Sequence, residues 1–313
     1  GGRPVCTALR PRFFSPSGWR ELRTAGESLL GAIRTMGQAA RNDRAFRAAF
    51  HLAEWEESLL ESAPRLPDVI PLARLDAFID PATGIARLTE INGETPAGTG
   101  YADFLGELFA ALPVMHRFSR NWVVTPLPGL PHLLSTLLET WRAVRGVRSV
   151  PTIAIVDWDD VPTTSEFRLV LDYATKMHEL VARAGLDTPL LQAVTAGAVV
   201  MVNGPDGKPL HKKASLAVLT DERHADRFSA AEHETIRRHV PWTRIVEERR
   251  TVIDGATIDL LPWIAERREQ LVLKPNDDYG GAGIVLGWEV DDAAWAAAIR
   301  RALSEPYVVQ HRI

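Results

Sequence analysis

The segment Leu273-Lys-Pro-Asn-Asp-Asp-Tyr-Gly-Gly-Ala-Gly283 constrains this chain more than any other stretch. The apolar run Leu271-Val-Leu-Lys274 enters it and a second β-type run, Ile284 to Val290, leaves it, which predicts two strands joined by a flexible glycine tip. It is not a Walker loop, because no Gly-Lys-Ser/Thr follows the glycines and a strand pattern rather than a helix comes next. Backbone N–H groups at such a tip can fold over phosphates, with Lys274 supplying a cation at the strand end. A turn-rich surface hairpin would carry the same residues.

Lysine usage bears on that choice. Of 36 basic residues only five are lysine (Lys176, Lys208, Lys212, Lys213 and Lys274), so arginine does nearly all the ordinary surface work. Lysine binds phosphate as a compact point charge, whereas arginine prefers planar, bidentate partners. Lys213 follows the turn from Asn203 to Lys208 and precedes Leu216-Ala-Val-Leu219, where it could reach a phosphate. Lys212 beside it implies that one of the two is simply solvated.

A second pattern lies earlier. Ile70 to Ile79 and Ile85 to Asn92 flank Asp80-Pro-Ala-Thr-Gly84, two β-rich runs around a turn. With the turn centred near Ala82, Arg74 lies opposite Glu90 and Asp76 opposite Leu88, so Arg74, Asp76, Glu90 and Asn92 share one face. Leu75, Ala77, Ile79 and Ile91 then face the core. Two carboxylates and an amide oxygen are hard ligands suited to Mg²⁺ holding a polyphosphate, with Arg74 free for a phosphate oxygen. The same alternation fits a solvated sheet face with cross-strand ion pairs.

The remaining pattern places these motifs. Residues 17 to 63 read mostly as helix, Gly93 to Gly100 as a loop, Ala102 to Leu112 as helix, and 113 to 131 as a proline-rich link. Leu133 to Val144 reads as helix, Thr152 to Asp157 as a buried strand, and Ser165 as the cap of a helix ending at Gly185. The turn Trp158-Asp-Asp-Val-Pro162 between them lacks Gly-x-Gly-x-x-Gly, which argues against a nicotinamide or flavin dehydrogenase. Ala198 to Asn203 reads as a strand, a helix follows Lys213, Ser229-Ala-Ala-Glu232 is a capping box, Asp292 to Leu303 is helical, and Tyr307 to Ile313 is a strand. No Gly-x-Ser-x-Gly elbow and no His-Glu-x-x-His pair is present, so neither a serine hydrolase nor a zinc protease is indicated.

Size and charge narrow the partners. A length of 313 residues predicts about two domains, and 46% hydrophobic with 24% charged residues is a globular composition. A net charge of −4 gives no electrostatic reason to seek nucleic acid, and no run approaches the ~20 apolar residues of a membrane span. Small molecules are the expected partners, with no nucleic acid and no membrane; the oligomeric state is not readable. Cys6 is the single cysteine, which suits a reducing compartment and a cytoplasmic location. The opening Gly1-Gly2-Arg3-Pro4 and the strand that stops at Ile313 lead us to expect further residues beyond both ends.

Arg74-Leu-Asp76, Thr89-Glu-Ile-Asn-Gly-Glu-Thr-Pro-Ala-Gly98, Lys213, the Lys274 to Gly283 loop and Tyr307-Val-Val-Gln310, in that order, resemble a circularly permuted ATP-grasp protein of the glutathionylspermidine-synthase-like group. The resemblance implies an α+β or α/β architecture: an ATP-grasp fold in permuted order with a Rossmann-like pre-ATP-grasp subdomain. It divides the chain into 1–125 (helices and metal-binding part), 126–200 (the α/β subdomain) and 201–313 (the lysine and glycine-loop part). It also implies ATP and Mg²⁺ as cofactors. Asp76, Glu90 and Asn92 would hold the metal, and Arg74 would contact the transferred phosphate. Lys213, Lys274, Tyr279, Gly280, Gly281 and Gly283 would surround the triphosphate, and Gln310 would sit at the adenine hinge. The implied chemistry joins a small-molecule or peptide carboxylate to an amine through an acyl phosphate. A phosphotransferase and a catalytically silent nucleotide-binding scaffold are the alternatives. His311 departs from the family, which often has Glu there, and nothing corresponds to the cysteine amidase domain of some relatives.

Overall fold

The computed structural model describes residues 10–147, 151–155, 166, 188–278 and 280–313. In chain order the helices are α1 (Pro16–Asn42), α2 (Arg44–Arg47), α3 (Glu54–Ser62), α4 (Thr99–Ala110), α5 (Pro113–Phe118) and α6 (Leu130–Arg145). They continue as α7 (Pro189–Thr195), α8 (Lys208–His211), α9 (Ala214–Thr220), α10 (Ala230–His239), α11 (Leu260–Glu266) and α12 (Asp292–Ser304). The strands are β1 (Arg74–Ile79), β2 (Ala86–Asn92), β3 (Thr243–Ile245), β4 (Arg250–Ile253), β5 (Ala256–Asp259), β6 (Leu271–Pro275), β7 (Val285–Leu286) and β8 (Tyr307–His311). The result is a mixed helix-and-sheet protein with small sheets. Among the described residues no helix is long and apolar enough to cross a membrane.

The chain forms two units, one of Gly1–Ser15, Ser62–Arg74 and Glu94–Gly204, the other of Pro16–Glu61, Leu75–Gly93 and Pro205–Ile313. The second is built on an antiparallel sheet in the order β3-β8-β6-β7. Thr243 and Val272 both lie opposite Gln310, while Ile245 and Lys274 both lie opposite Val308. Directly opposed residues share a face, so these six line one side of the sheet. Leu271, Leu273, Tyr307 and Val309 line the other, where Leu260 and Ile264 of α11 and Trp295, Ile299 and Ala302 of α12 complete the core. On the first side α9 packs Ala214 and Ala217 against Ile245 and Val308, small side chains that let the helix lie close.

Local chemistry explains the helix ends in this unit. The predicted capping box of α10 is present: Glu232 N–H donates to Ser229 Oγ (3.3 Å) and Ser229 N–H donates to Glu232 Oε2 (2.8 Å). The buried stripe of α1, Leu29, Ala32, Ile33, Met36 and Ala40, has helical spacing. Thr35 Oγ1 on α1 donates to Glu232 Oε1 of α10 at 2.6 Å. Asp254 (φ 48°) and Gly255 (φ 80°) turn β4 into β5, the conformation an Asp-Gly pair favours.

The described residues of the first unit are mainly helical. Asp103 on α4 accepts from the N–H groups of Gly129 and Leu130 at 2.7 and 2.9 Å, capping α6 from a neighbouring helix. The loop before α4 is tied by Glu166, whose carboxylate accepts from Gly98 N–H and Gly100 N–H at 2.8 to 2.9 Å. Asn203 bridges two stretches, accepting from Leu72 N–H (3.1 Å) and donating to Leu72 O (2.9 Å) and Glu94 O (3.2 Å).

Several expectations are corrected. Ala198 to Asn203 is not a strand; Ala198 N–H returns to Ala193 O at the end of α7, and Asn203 is committed to Leu72 and Glu94. Residues 151–155 carry no regular structure, and the strand residues beyond them, the Trp158–Pro162 turn and the Ser165–Gly185 helix lie outside the described residues apart from Glu166. The link after Pro113 begins with a helix, α5, because proline at its first position already has a helical φ and no N–H to lose. The run Ile284 to Val290 is a strand only at Val285–Leu286 and then tightens into a 3₁₀ turn at Gly287–Glu289.

The β1–β2 hairpin also departs from the symmetric turn. Asp80 N–H donates to Ile85 O (2.9 Å) while Gly84 N–H donates back to Asp80 O (2.8 Å), so the strands close one residue later than a turn centred on Ala82. Asp80 Oδ1 accepts from Ala82 N–H and Thr83 N–H, and Gly84 takes the left-handed φ of 72° that this longer turn needs. Accordingly Leu88, expected on the polar face, is buried, and Ala77, expected in the core, is exposed; Ile91 is buried as expected.

Candidate functional site

The site begins where β6 ends. Lys274 is the last inward residue of that strand on the face shared with Thr243 and Gln310, and its ammonium donates to Gln310 Oε1 (2.7 Å) and to Thr89 O of β2 (3.2 Å). Gln310 is oriented from its other end, where Nε2 donates to Thr243 Oγ1 at 3.0 Å. Burial, then the charge of Lys213, pushes Lys274 down to about 8, with Glu90 working in the opposite direction. Lys274 therefore feels a cation from the α9 entrance and a carboxylate from β2 at once.

Asn276 fixes the turn that follows. Its N–H donates to Pro306 O and its carbonyl accepts from Lys213 N–H, both at 2.9 Å. Its side chain accepts from Ala214 N–H (2.8 Å) and donates to Phe50 O (2.9 Å). Lys213 is thereby held against the loop, and its ammonium donates to Asp278 O at 2.6 Å. Beyond it Gly280, Gly281 and Gly283 all adopt positive φ, 66°, 81° and 67°, a backbone that glycine takes without strain. The β6–β7 pairing of Val272 with Leu286 and Leu273 with Val285 makes this segment the predicted hairpin flap. Tyr279 lies outside the described residues.

Sequence reasoning missed the ionic cluster beneath the flap. Lys208 and Lys212 each contact Asp277, at 3.1 and 2.9 Å, and each contacts Glu56 of α3, at 3.4 and 2.8 Å. The expectation that Lys212 or Lys213 is solvated is wrong: Lys208, Lys212, Lys213 and Lys274 are 6%, 4%, 5% and 9% exposed. Burial by itself would raise the Asp277 carboxyl, but Lys208 and Lys212 outweigh it and hold the group well below the usual carboxylate range. The scarcity of lysine was the available signal for Lys208; nothing in the sequence pointed to Glu56.

The proposed metal residues sit on the hairpin. Asp76 and Glu90 are half-buried and Asn92 is buried, and Thr89 Oγ1 donates to Asp76 O at 2.9 Å. Their donors are hard oxygens, a set chemically suited to Mg²⁺. Among the described residues no group of three or more His, Cys, Asp or Glu side chains is placed to hold a metal. Arg74 falls in the other unit, where its Nη1 donates to Ala97 O at 2.6 Å. Lys274, Lys213, Gln310 and the flap are thus brought together with β2, while Arg74 is described with the loop before α4.

The chain is similar in fold to a glutathione synthetase-like effector, GSS30, from Globodera pallida in its apo form. The two share 13% sequence identity, with 97% of this chain and 74% of that chain covered and a TM-score of 0.59. No protein-family model matches the chain. No curated protein matches it.

Proposed function

We propose that this chain is a Mg-ATP-dependent carboxylate–amine ligase of ATP-grasp type in circularly permuted order. The observation that carries the reading is the contact of Lys274 with Thr89 O, which joins the lysine-bearing strand to the residue next to Glu90. A phosphate-binding cation and a candidate metal carboxylate then belong to one compact unit. The glutathione synthetase-like fold neighbour supports the same class of chemistry by analogy of fold.

In this reading Lys213 and Lys274 neutralise the triphosphate, and the flap N–H groups from Gly280 to Gly283 cover it. Gln310 faces the adenine. Asp76, Glu90 and Asn92 would hold Mg²⁺, which supplies charge neutralisation on the phosphates. Arg74 is the residue proposed for the transferred phosphate. The substrate carboxylate attacks the γ-phosphorus, the bond to ADP breaks, and the resulting acyl phosphate is attacked by an amine that expels inorganic phosphate and leaves an amide. Such a reaction needs positioning and charge stabilisation rather than a protein nucleophile.

The test is product balance with Mg-ATP across a panel of acid–amine pairs, including glutathione-like peptides. ADP and phosphate released in equal amounts with an amide product support the ligase. ADP with a stable phosphorylated product and no free phosphate identifies a phosphotransferase, and tight Mg-ATP binding without turnover identifies a scaffold. No binding at all removes the nucleotide reading.

A further inference from the structure

We infer that Asp277 is the positioning residue of the nucleotide flap, acting through a four-charge cluster with the buried side chains of Lys208, Lys212 and Glu56. This inference rests on the ATP reading for its functional consequence and on geometry for its mechanism. Two cations and two anions meet in the cluster, and the floor of it is Glu56, whose Oε2 also accepts from Ala53 N–H at 2.7 Å. Glu56 is therefore fixed at the start of α3, the lysines are fixed by Glu56, and Asp277 is fixed by the lysines. The carboxylate reaches inward from an exposed residue to two buried ammonium groups, and cations fixed in this way hold it in place more firmly than two mobile surface lysines would.

Asp277 is flanked by residues with other tasks. Asn276 before it is locked to Pro306, Lys213, Ala214 and Phe50, and Asp278 after it presents its carbonyl to Lys213 Nζ. Pinning the Asp277 side chain thus sets where the Asp278 carbonyl points and where the glycine arm starts. The positive-φ glycines Gly280, Gly281 and Gly283 follow in the same arm. The cluster also sorts the lysines: Lys208 and Lys212 neutralise Asp277 and Glu56, and Lys213 is the one directed at the flap backbone.

The experiment compares the full chain with D277N and D277N/K212M by melting temperature, amide hydrogen exchange over residues 276–284, and Mg-ATP affinity. D277N leaves an uncompensated buried cation, so it should melt earlier, exchange the flap amides about tenfold or more faster, and bind Mg-ATP about tenfold more weakly. D277N/K212M restores charge balance through Lys208 and Glu56, so its melting temperature should recover while fast flap exchange and weak binding persist. Recovery of all three together would mean that the cluster only balances charge, and unchanged flap exchange in both variants would equally overturn the proposal. Should D277N fail to fold, the double variant decides alone. Absence of Mg-ATP binding by the unaltered protein would defeat the ligase reading, leaving the exchange measurement to judge Asp277.

Discussion

Lys274 Nζ lies 2.7 Å from Gln310 Oε1, an amide whose orientation is set by Thr243 Oγ1 on the neighbouring strand. Thr243 Oγ1 in turn donates to Pro241 O at 2.9 Å, so its remaining role toward Gln310 is that of acceptor. The ammonium is consequently placed by the sheet itself, in a setting that weakens its hold on its proton.

The pH dependence follows from the lowered Lys274 value of about 8. Between there and the 10.5 of an unfolded chain the folded form carries fewer protons, so this residue makes the fold more stable as pH rises through that window. Nucleotide affinity should move the other way, falling by up to about tenfold per pH unit above 8. Calorimetric titration of Mg-ATP from neutral to alkaline pH should show the fall in the unaltered protein and its absence in K274R. A flat profile in the unaltered protein would remove Lys274 from nucleotide binding.

Replacing Gln310 by Glu places a carboxylate against Lys274 and should shift the affinity fall to higher pH. The lost Nε2–H sets two oxygens against each other at Thr243 Oγ1, which should cost about 1–3 kcal/mol in thermal or denaturant unfolding. A stable variant with an unmoved pH profile would contradict the Lys274–Gln310 contact.

Glu90 is half-buried on β2 and opposes the lowering of Lys274. E90Q should change stability by no more than about 1 kcal/mol while abolishing Mg²⁺-dependent turnover and lowering the Lys274 midpoint further. Retained metal-dependent turnover would show that Glu90 is an ordinary sheet-face charge.

Alanine at two flap glycines separates strain from collision. A Cβ on Gly281 meets nothing within 4 Å, so G281A should lose only the left-handed backbone preference, about 1 kcal/mol. A Cβ on Gly283 would lie 2.6 Å from Pro275 Cγ and 3.2 Å from the Tyr307 hydroxyl, so G283A should lose clearly more in a denaturant melt. Equal losses would mean that Pro275 and the flap separate easily.

How much of this was legible depends on whether the signal was local. The capping box at Ser229, the helix after Lys213 and the strand–glycine–strand pattern around Lys274 are short-range patterns, and all are present. Ala198 to Asn203 misled because a run of β-branched residues says nothing of the Leu72 and Glu94 backbone groups that claim Asn203. The cluster at Asp277 joins α3, the α8 turn and the flap, residues 56, 208, 212 and 277, and no spacing rule spans such distances. Gly287 was equally silent, although a Cβ there would sit 1.9 Å from Arg268 O and forbid the tight turn after β7. The Asp254-Gly255 turn is the reverse case, a strong two-residue hairpin signal carried entirely by local sequence. Asp76, Glu90 and Asn92 were readable as residue types, but the closure of their hairpin depended on the Asp80 side chain, which alternation alone does not register.

The central position of β8 has a consequence for how the protein is made. It sits between β3 and β6 yet is synthesised after both. On the ribosome, β3 waits with no strand beside it and β6 with one side open until β8 emerges, so two adhesive borders face the crowded cell during that interval. A nascent chain of this design has reason to linger with a holding chaperone until its middle strand is delivered.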